Sequence, residues 1–142
     1  MPTRNAEAKW EGKIQAGKGT MKLGSGAFEG TYSFKSRFED GPGTNPEELI
    51  GAAHAGCFSM ALSLLLGKAG YDPKQIETKA AVHIEKAGEG FKITKIDLET
   101  EAQVPEIDEN EFQQTADEAK KGCPVSQALA GVDITLKAAL KK

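Results

Sequence analysis

Hydrophobic and polar positions alternate with a period of two near the N-terminus, and this alternation predicts β-strands. The longest run includes Tyr32, Phe34, Ser36 and Phe38, which place Arg37 on the opposite face of the same strand. The glycine-rich segment 23–26 predicts a turn. We therefore predict three short strands, over residues 8–14, 19–23 and 31–38.

A second alternating region runs from Ile76 to Val104 and is interrupted by the turn 87–90. This arrangement predicts a long β-hairpin. The alternation changes parity between Ile93 and Ile96, and a single inserted residue produces such a slip. We therefore expect a β-bulge near Thr94 and Lys95.

A long apolar segment between these regions predicts a helix that begins at Asn45 and ends near Lys68. Asn45 is a good N-cap, Pro46 suits the first helical position, and Gly70 suits the C-terminal end. The segment is apolar on nearly all sides, which is typical of a helix buried in a core. We therefore expect a long buried central helix.

The C-terminal part predicts a polar helix over 108–121, a short helix over 124–130 and a strand over 132–140. No linker or internal repeat interrupts the chain, so residues 1–142 are expected to form a single domain. The element order βββ-α-ββ-αα-β predicts an α+β fold in which antiparallel sheets pack around the central helix.

Charge and hydropathy narrow the classes of function. The net charge of −3, without a basic cluster, argues against nucleic-acid binding. The N-terminus has no apolar signal region, and the apolar stretch 49–66 contains His54 and falls short of the roughly 20 residues that span a bilayer. We expect a cytoplasmic protein that does not enter a membrane.

The chain has two cysteines, which are too few for a disulfide scaffold. They could be inert buried thiols, metal ligands or a reactive pair. Cys57 lies in the middle of the apolar helix, where a cysteine is usually a small hydrophobic residue. Cys123 lies between Gly122 and Pro124 at the start of the short helix, where thiolate is favoured. Local chemistry therefore predicts that Cys123 is the easier thiol to ionise.

Charged residues near Cys57 are candidates for its activation. Arg37 precedes the loop that leads into the helix, and an arginine can stabilise a thiolate or bind a carboxylate bidentately. Glu48 is the candidate carboxylate, but it lies nine residues before Cys57, on the opposite side of the helix and roughly 13 Å away along its axis. Glu48 therefore either complements the helix dipole or serves a site on a second subunit.

A metal site formed by His54, Cys57 and Cys123 is the alternative for the cysteines. Zinc ligands normally lie closer together in sequence and number four, or three with a water, so we expect no metal. The glycine-rich turns lack a phosphate-binding or dinucleotide pattern, and we expect no cofactor. Phe58, Met60, Phe34 and Phe38 are candidates for an apolar entrance, although such residues usually belong to a core.

Two segments, RFEDGPGTNPEELIGAAHAGCFSMALSLLLGKAGY and KGCPVSQAL, closely resemble the OsmC branch of the OsmC/Ohr family of osmotically inducible and organic-hydroperoxide-resistance proteins. The similarity extends to WEGKI near the start and VDITLKAAL near the end. The resemblance implies an intertwined homodimer with two active sites at the subunit interface.

The resemblance also implies an activity, a thiol-dependent reduction of organic hydroperoxides. Cys57 matches the peroxidatic cysteine, Cys123 the resolving cysteine, and Arg37 and Glu48 the residues that polarise the thiol and position the peroxide. The implied reductant is a dithiol or lipoyl group, without a bound cofactor. A redox sensor that uses the same disulfide without turnover is the alternative function.

Overall fold

The computed structural model describes residues 1–141. These residues form two compact units, of which the first ends at Leu49 and the second begins at Ile50. The prediction of a single domain over 1–142 stays a prediction. The order of elements is β1 (Ala6–Glu11), β2 (Lys18–Leu23), β3 (Glu29–Tyr32), α1 (Phe34–Phe38), α2 (Pro46–Lys68), β4 (Gln75–Ala87), β5 (Gly90–Gln103), α3 (Glu109–Gly122), α4 (Pro124–Ala128) and β6 (Asp133–Lys141).

The first unit contains an antiparallel sheet in the order β1-β2-β3. Trp10 of β1 and Tyr32 of β3 meet across the glycine of β2, Gly19, with their ring centroids 5.4 Å apart. A Cβ at Gly19 would lie 2.5 Å from the Tyr32 ring, so only glycine allows this approach. The turn predicted at 23–26 is confirmed, and β1 begins two residues earlier than expected.

The predicted strand over 31–38 is wrong in its second half, where residues Phe34–Phe38 form α1. Ser33 caps this helix: its hydroxyl accepts the Ser36 backbone N–H, and the Ser36 hydroxyl accepts the Ser33 backbone N–H. This reciprocal capping box stabilises a helical turn against the alternating pattern. Arg37 therefore lies in a helix, and the prediction that it lies in a strand is wrong.

Helix α2 follows its predicted bounds closely. It ends in a Schellman motif, in which Gly70 has φ = 94° and the N–H groups of Gly70 and Tyr71 bond to the carbonyls of Gly67 and Leu66. By length and composition the helix could cross a membrane, a test that the core helix of a soluble protein also passes.

Within one chain, α2 is buried along one stripe rather than on all sides. The stripe consists of Gly51, His54, Phe58, Leu62 and Leu66. On the opposite face Met60 is 77% exposed and Leu64 59% exposed. One face of an apolar helix therefore remains uncovered by its own chain.

The second unit contains a sheet in the order β4-β5-β6. The predicted hairpin and bulge are confirmed, because His83 pairs with Lys95 and Ile84 with Ile93, which leaves Thr94 as the extra residue. The expectation of antiparallel pairing is corrected for β6, which runs parallel to β5. A parallel neighbour requires a crossover connection, and α3 and α4 provide it. Cys123 therefore lies within this crossover.

The core of the second unit lies between its sheet and its helices. Its fully buried members come from α2, β5 and α3, and include Phe58, Leu62, Leu66, Ile96, Leu98 and Phe112. This packing fixes the side of α2 that carries His54 and Phe58, and with it the orientation of Cys57.

Truncation of the buried Leu98 to alanine is expected to lower the free energy of unfolding by about 3 kcal/mol, because it removes buried methyl groups and leaves a cavity. Leu98 is 1% exposed, whereas Leu23 at the end of β2 is 36% exposed. Urea denaturation of Leu98→Ala and the control Leu23→Ala measures the difference. Equal losses in the two variants would contradict this core assignment.

Candidate active site

The predicted site residues form two clusters, one in each compact unit. Arg37, with its acidic partner, belongs to the first unit, and the two cysteines belong to the second. Each cluster has its own set of hydrogen bonds.

Arg37 binds a carboxylate bidentately, but the carboxylate is Glu47 rather than Glu48. The Nε and Nη2 atoms of Arg37 donate to the two Glu47 carboxylate oxygens at 3.1 and 2.9 Å. Glu47 is buried and Arg37 is partly exposed, with its guanidinium 5.2 Å from the centroid of the Phe38 ring. Two parallel charge-assisted bonds hold the guanidinium plane in one orientation.

The Arg37 pair is held in place by polar contacts between α1 and the start of α2. The Ser36 hydroxyl donates to the Thr44 carbonyl at 2.7 Å, and the Asn45 amide donates to the Ser36 carbonyl at 3.0 Å. These bonds fix the loop between the helices, so Arg37 and Glu47 approach each other with little freedom. The sequence signal for this arrangement was the capping pair Ser33 and Ser36, which the alternating pattern obscured.

Glu48 has a different role in the structure. Its carboxylate accepts the Thr44 hydroxyl at 2.8 Å, and its backbone N–H donates to the Asn45 side chain at 2.7 Å. Both contacts belong to the N-terminal cap of α2, where a carboxylate also complements the helix dipole. The predicted pairing of Arg37 with Glu48 is therefore corrected, because the acidic partner of Arg37 is Glu47.

The two cysteines are adjacent in the second unit. Both are free thiols, and they lie close enough for each to shift the pKa of the other. Cys57 is partly exposed on α2, and Cys123 is fully buried at the junction of α3 and α4. The structure thus brings together two thiols that lie far apart in the sequence.

The surroundings of the two thiols shift their pKa values in opposite directions. Burial raises the pKa of Cys57, a backbone hydrogen bond from Val125 works against the increase, and the neighbouring Cys123 sulfur adds to it. Burial also opposes ionisation of Cys123, but hydrogen bonds from Ser126, Cys57 and Val125 outweigh it and lower the pKa of Cys123. Within one chain, Cys123 is the more acidic thiol, in agreement with the local argument from sequence.

An open apolar groove of about 760 Å³ lies beside Cys57. Its lining consists of Cys57, Met60, Ala61, Leu64, Leu65, Glu118, Ala119, Gly122 and Pro124. Among the described residues that line the groove, Glu118 is the one with a charged side chain, and a carboxylate does not stabilise a thiolate. Of the aromatic and methionine candidates for an entrance, Met60 lines the groove, and Phe58 is fully buried in the core. Phe34 and Phe38 stack on each other within the first unit.

His54 and Ser126 complete the polar surroundings of Cys123. The Nε2 atom of His54 is 2.7 Å from the Ser126 hydroxyl, and that hydroxyl donates to the Cys123 sulfur at 3.5 Å. Sequence reasoning considered His54 as a metal ligand but missed Ser126. Its position, three residues after a helix-capping cysteine, is the signal that could have found it. Among residues 1–141, no three histidine, cysteine or acidic side chains come together as a metal site.

Comparisons with known proteins show which family the chain is similar to. The family model described as OsmC-like protein matches residues 39–137. The peroxiredoxin OsmC of Escherichia coli K12 is 53% identical over 97% of this chain and 96% of its own length. The organic hydroperoxide resistance protein of Xanthomonas axonopodis pv. citri is 35% identical over 68% of this chain and 67% of its own.

A solved structure shares the fold. The organic hydroperoxide resistance protein of Elizabethkingia anophelis, crystallised with thiocyanate, superimposes with a TM-score of 0.76 at 25% identity, covering 99% of this chain and 98% of that protein. The family model spans most of the chain, and it includes both cysteines and the acidic partner of Arg37. The chain therefore belongs to the OsmC/Ohr family.

Proposed function

We propose that this protein is a thiol-dependent peroxidase that reduces organic hydroperoxides with Cys57 and Cys123. The observation that carries the proposal is the contact between two free thiols at the edge of an apolar groove. The names of the relatives, peroxiredoxin and organic hydroperoxide resistance protein, support the same reaction class.

The proposed reaction begins at Cys57, the more exposed thiol. Its thiolate attacks the peroxide O–O bond, the alkoxide leaves and takes a proton as an alcohol, and the sulfur becomes a sulfenic acid. Cys123 then attacks the Cys57 sulfur and forms a disulfide, and the oxygen leaves as water. An external dithiol reduces the disulfide by exchange, and Cys57 returns to the thiol.

Cys57 needs a cation to become the attacking thiolate. Its own groove offers only Glu118, and its burial raises the pKa. Arg37 is the proposed cation, held by Glu47, because a guanidinium can stabilise a thiolate and orient a peroxide. In this proposal Glu47 takes the role that the family resemblance implied for Glu48.

The cation is proposed to come from a second copy of the chain. Glu47 precedes Cys57 by ten residues in α2, and ten residues of α-helix rise about 15 Å. A homodimer with shared sites removes this separation. It also places a partner along the exposed apolar face of α2, on which Met60 and Leu64 lie, so that in this proposal the groove beside Cys57 becomes a pocket at the subunit interface.

The groove defines the proposed substrate class. Its lining is largely aliphatic, which favours the alkyl part of an organic hydroperoxide over water. Hydrogen peroxide lacks this part and gains nothing from the groove, so it is a poorer substrate in this proposal. The reductant is proposed to be a dithiol or lipoyl group, and the compartment the cytoplasm, where two thiols remain reduced between turnovers.

Catalytic consumption of cumene hydroperoxide is the expected result when the protein is mixed with a dithiol reductant. A peroxide-consumption assay with substrate in at least hundredfold excess separates turnover from stoichiometric oxidation. We expect many equivalents to be consumed, and more slowly when hydrogen peroxide replaces the organic substrate. Consumption that stops at one equivalent per chain would favour a redox sensor and contradict the peroxidase.

A further inference from the structure

His54 is a fully buried histidine that the proposed reaction does not use. It lies on the inner stripe of α2, one turn before Cys57, and is 0% exposed. Burial lowers its pKa, so the imidazole is neutral near pH 7. A neutral imidazole carries one proton and one free acceptor nitrogen, and it can take or give a proton through either nitrogen.

The contacts of His54 lead to Cys123 rather than to Cys57. Its Nε2 atom is 2.7 Å from the Ser126 hydroxyl. The Ser126 hydroxyl lies 3.5 Å from the Cys123 sulfur, which also accepts the Ser126 backbone N–H at 3.4 Å. Imidazole, hydroxyl and thiol therefore form an unbroken chain of hydrogen bonds.

This chain of bonds has two complementary states. With Cys123 as a thiol, its proton points to the Ser126 oxygen, and the Ser126 proton points to Nε2 of His54. With Cys123 as a thiolate, each proton has moved one position towards His54. A serine hydroxyl can donate and accept at once, so both states keep every hydrogen bond between the three groups.

The second ring nitrogen of His54, Nδ1, argues against a role for this residue in core packing alone. Nδ1 is buried and has no hydrogen-bond partner among the described residues. An unpaired buried polar atom is destabilising, and a hydrophobic residue would fill the same stripe without that penalty. The one bond that His54 does make is directed at the serine that contacts Cys123.

We propose that Ser126 and His54 form a proton relay that carries the Cys123 proton during disulfide formation. Ser126 contacts the reacting sulfur, and His54 is a positioning residue that acts through Ser126. This inference rests on the proposed peroxidase function and deepens it, because it assigns the proton of the resolving step.

The step balances without another reagent. The Cys123 sulfur forms a bond to the Cys57 sulfur, and the S–O bond of the sulfenic acid breaks. The proton of Cys123 moves to Ser126 as the Ser126 proton moves to His54, where it is held until reduction. The hydroxide that leaves the Cys57 sulfur takes a proton from solvent in the open groove and departs as water. In the reverse direction, the relay supplies the proton when Cys123 leaves as a thiolate during reduction.

The other ionisable groups around this relay are few. Cys57 contacts the Cys123 sulfur directly, and Glu118 of α3 lines the groove on the Cys57 side. Neither group replaces a proton acceptor for Cys123, because Cys57 is the reaction partner and Glu118 does not hydrogen-bond to Ser126 in the described structure.

The relay is tested by separating the two steps of one turnover. Wild type, Ser126→Ala, Ser126→Thr and His54→Gln are mixed with one equivalent of cumene hydroperoxide and quenched in acid. Mass spectrometry then distinguishes the Cys57 sulfenic acid, trapped with dimedone, from the disulfide. Glutamine keeps a donor near the position of Nε2 but cannot take up a proton, and threonine keeps the hydroxyl.

We expect sulfenic acid to form at similar rates in all four proteins. Disulfide formation is expected to slow by roughly 100-fold in Ser126→Ala and also in His54→Gln, the scale of a lost general base. Ser126→Thr is expected to stay near wild type. Disulfide formation at the wild-type rate in both Ser126→Ala and His54→Gln would overturn the relay.

A second measurement is independent of peroxide chemistry. In the Cys57→Ser background Cys123 is the only cysteine, and its thiolate absorbs near 240 nm. We expect Ser126→Ala to raise the Cys123 pKa and Ser126→Thr to restore it, because the hydroxyl donates to the thiolate. An unchanged pKa would overturn the relay, even if wild type failed to react with peroxide and the proposed function itself had to be abandoned.

Discussion

Replacement of Cys57 by serine is expected to abolish peroxidase turnover, with a loss of about 1,000-fold or more, because a hydroxyl cannot replace the thiolate that attacks the O–O bond. Consumption of cumene hydroperoxide with a dithiol measures the loss. Within the isolated chain the pKa of Cys57 is raised and that of Cys123 is lowered, which by itself favours Cys123 as the attacking thiol. The variant therefore tests whether Cys57 is the attacking thiol despite its raised pKa.

Cys123→Ser is the matched variant for the same assay. We expect Cys57 to react with the first equivalent of peroxide at the wild-type rate and then to accumulate as sulfenic and sulfinic acid, because no resolving thiol protects it. Intact mass spectrometry resolves these oxygen additions. If Cys57→Ser kept its turnover and Cys123→Ser lost its first reaction, the two roles would have to be exchanged.

Glu47→Gln is expected to lower kcat/KM for cumene hydroperoxide by about 100-fold, whereas Glu48→Gln stays near wild type. Glu47 accepts hydrogen bonds from Nε and Nη2 of Arg37, and loss of its charge frees a guanidinium that must be placed within about 1 Å. Among the described residues, the hydrogen bonds of Glu48 go to Thr44 and to the helix cap Asn45. Steady-state kinetics of the two variants compares neighbouring carboxylates of the same helix.

Mixed dimers test where the Arg37–Glu47 pair acts. Glu47→Gln dimers are expected to be strongly impaired and Cys57→Ser dimers inactive, but a heterodimer of the two contains one complete site if Glu47 serves the partner subunit. Recovery of up to half of one wild-type dimer's activity per heterodimer is the expected result. Mixtures that exchange subunits and remain inactive would place Glu47 and Cys57 in the same chain's site, against the proposed dimer.

The sequence predicted those elements whose signals are local. The caps of α2, the hairpin and the bulge at Thr94 each depend on a few neighbouring residues, and all were found. Helix α1 was missed because Tyr32, Phe34 and Phe38 suit a strand equally well, and only the bonds between Ser33 and Ser36 decide for a helix. The parallel pairing of β6 is set by a crossover of two helices, which no local pattern encodes.

The features of the candidate site likewise fall into those that the local sequence predicts and those that depend on the tertiary structure. The acidity of Cys123 followed from its neighbours in sequence, and the structure agrees. The choice between Glu47 and Glu48 required a side-chain geometry, because both suit the first turn of α2 equally well. Ser126 could not be identified from the sequence, because its partner His54 lies 72 positions away and only the position of α4 brings the two side chains together.

The distance along the chain between the two adjacent cysteines has a consequence for folding stability. A Cys57–Cys123 bond would enclose a loop of about 65 residues, and closing such a loop removes conformational entropy from the unfolded chain, worth about 4 kcal/mol. The loop contains β4, β5 and α3, which form most of the second unit. The disulfide form, which awaits reduction, is thus expected to be harder to unfold than the dithiol form, which awaits peroxide. The melting temperature of a sample would therefore report which of the two forms predominates.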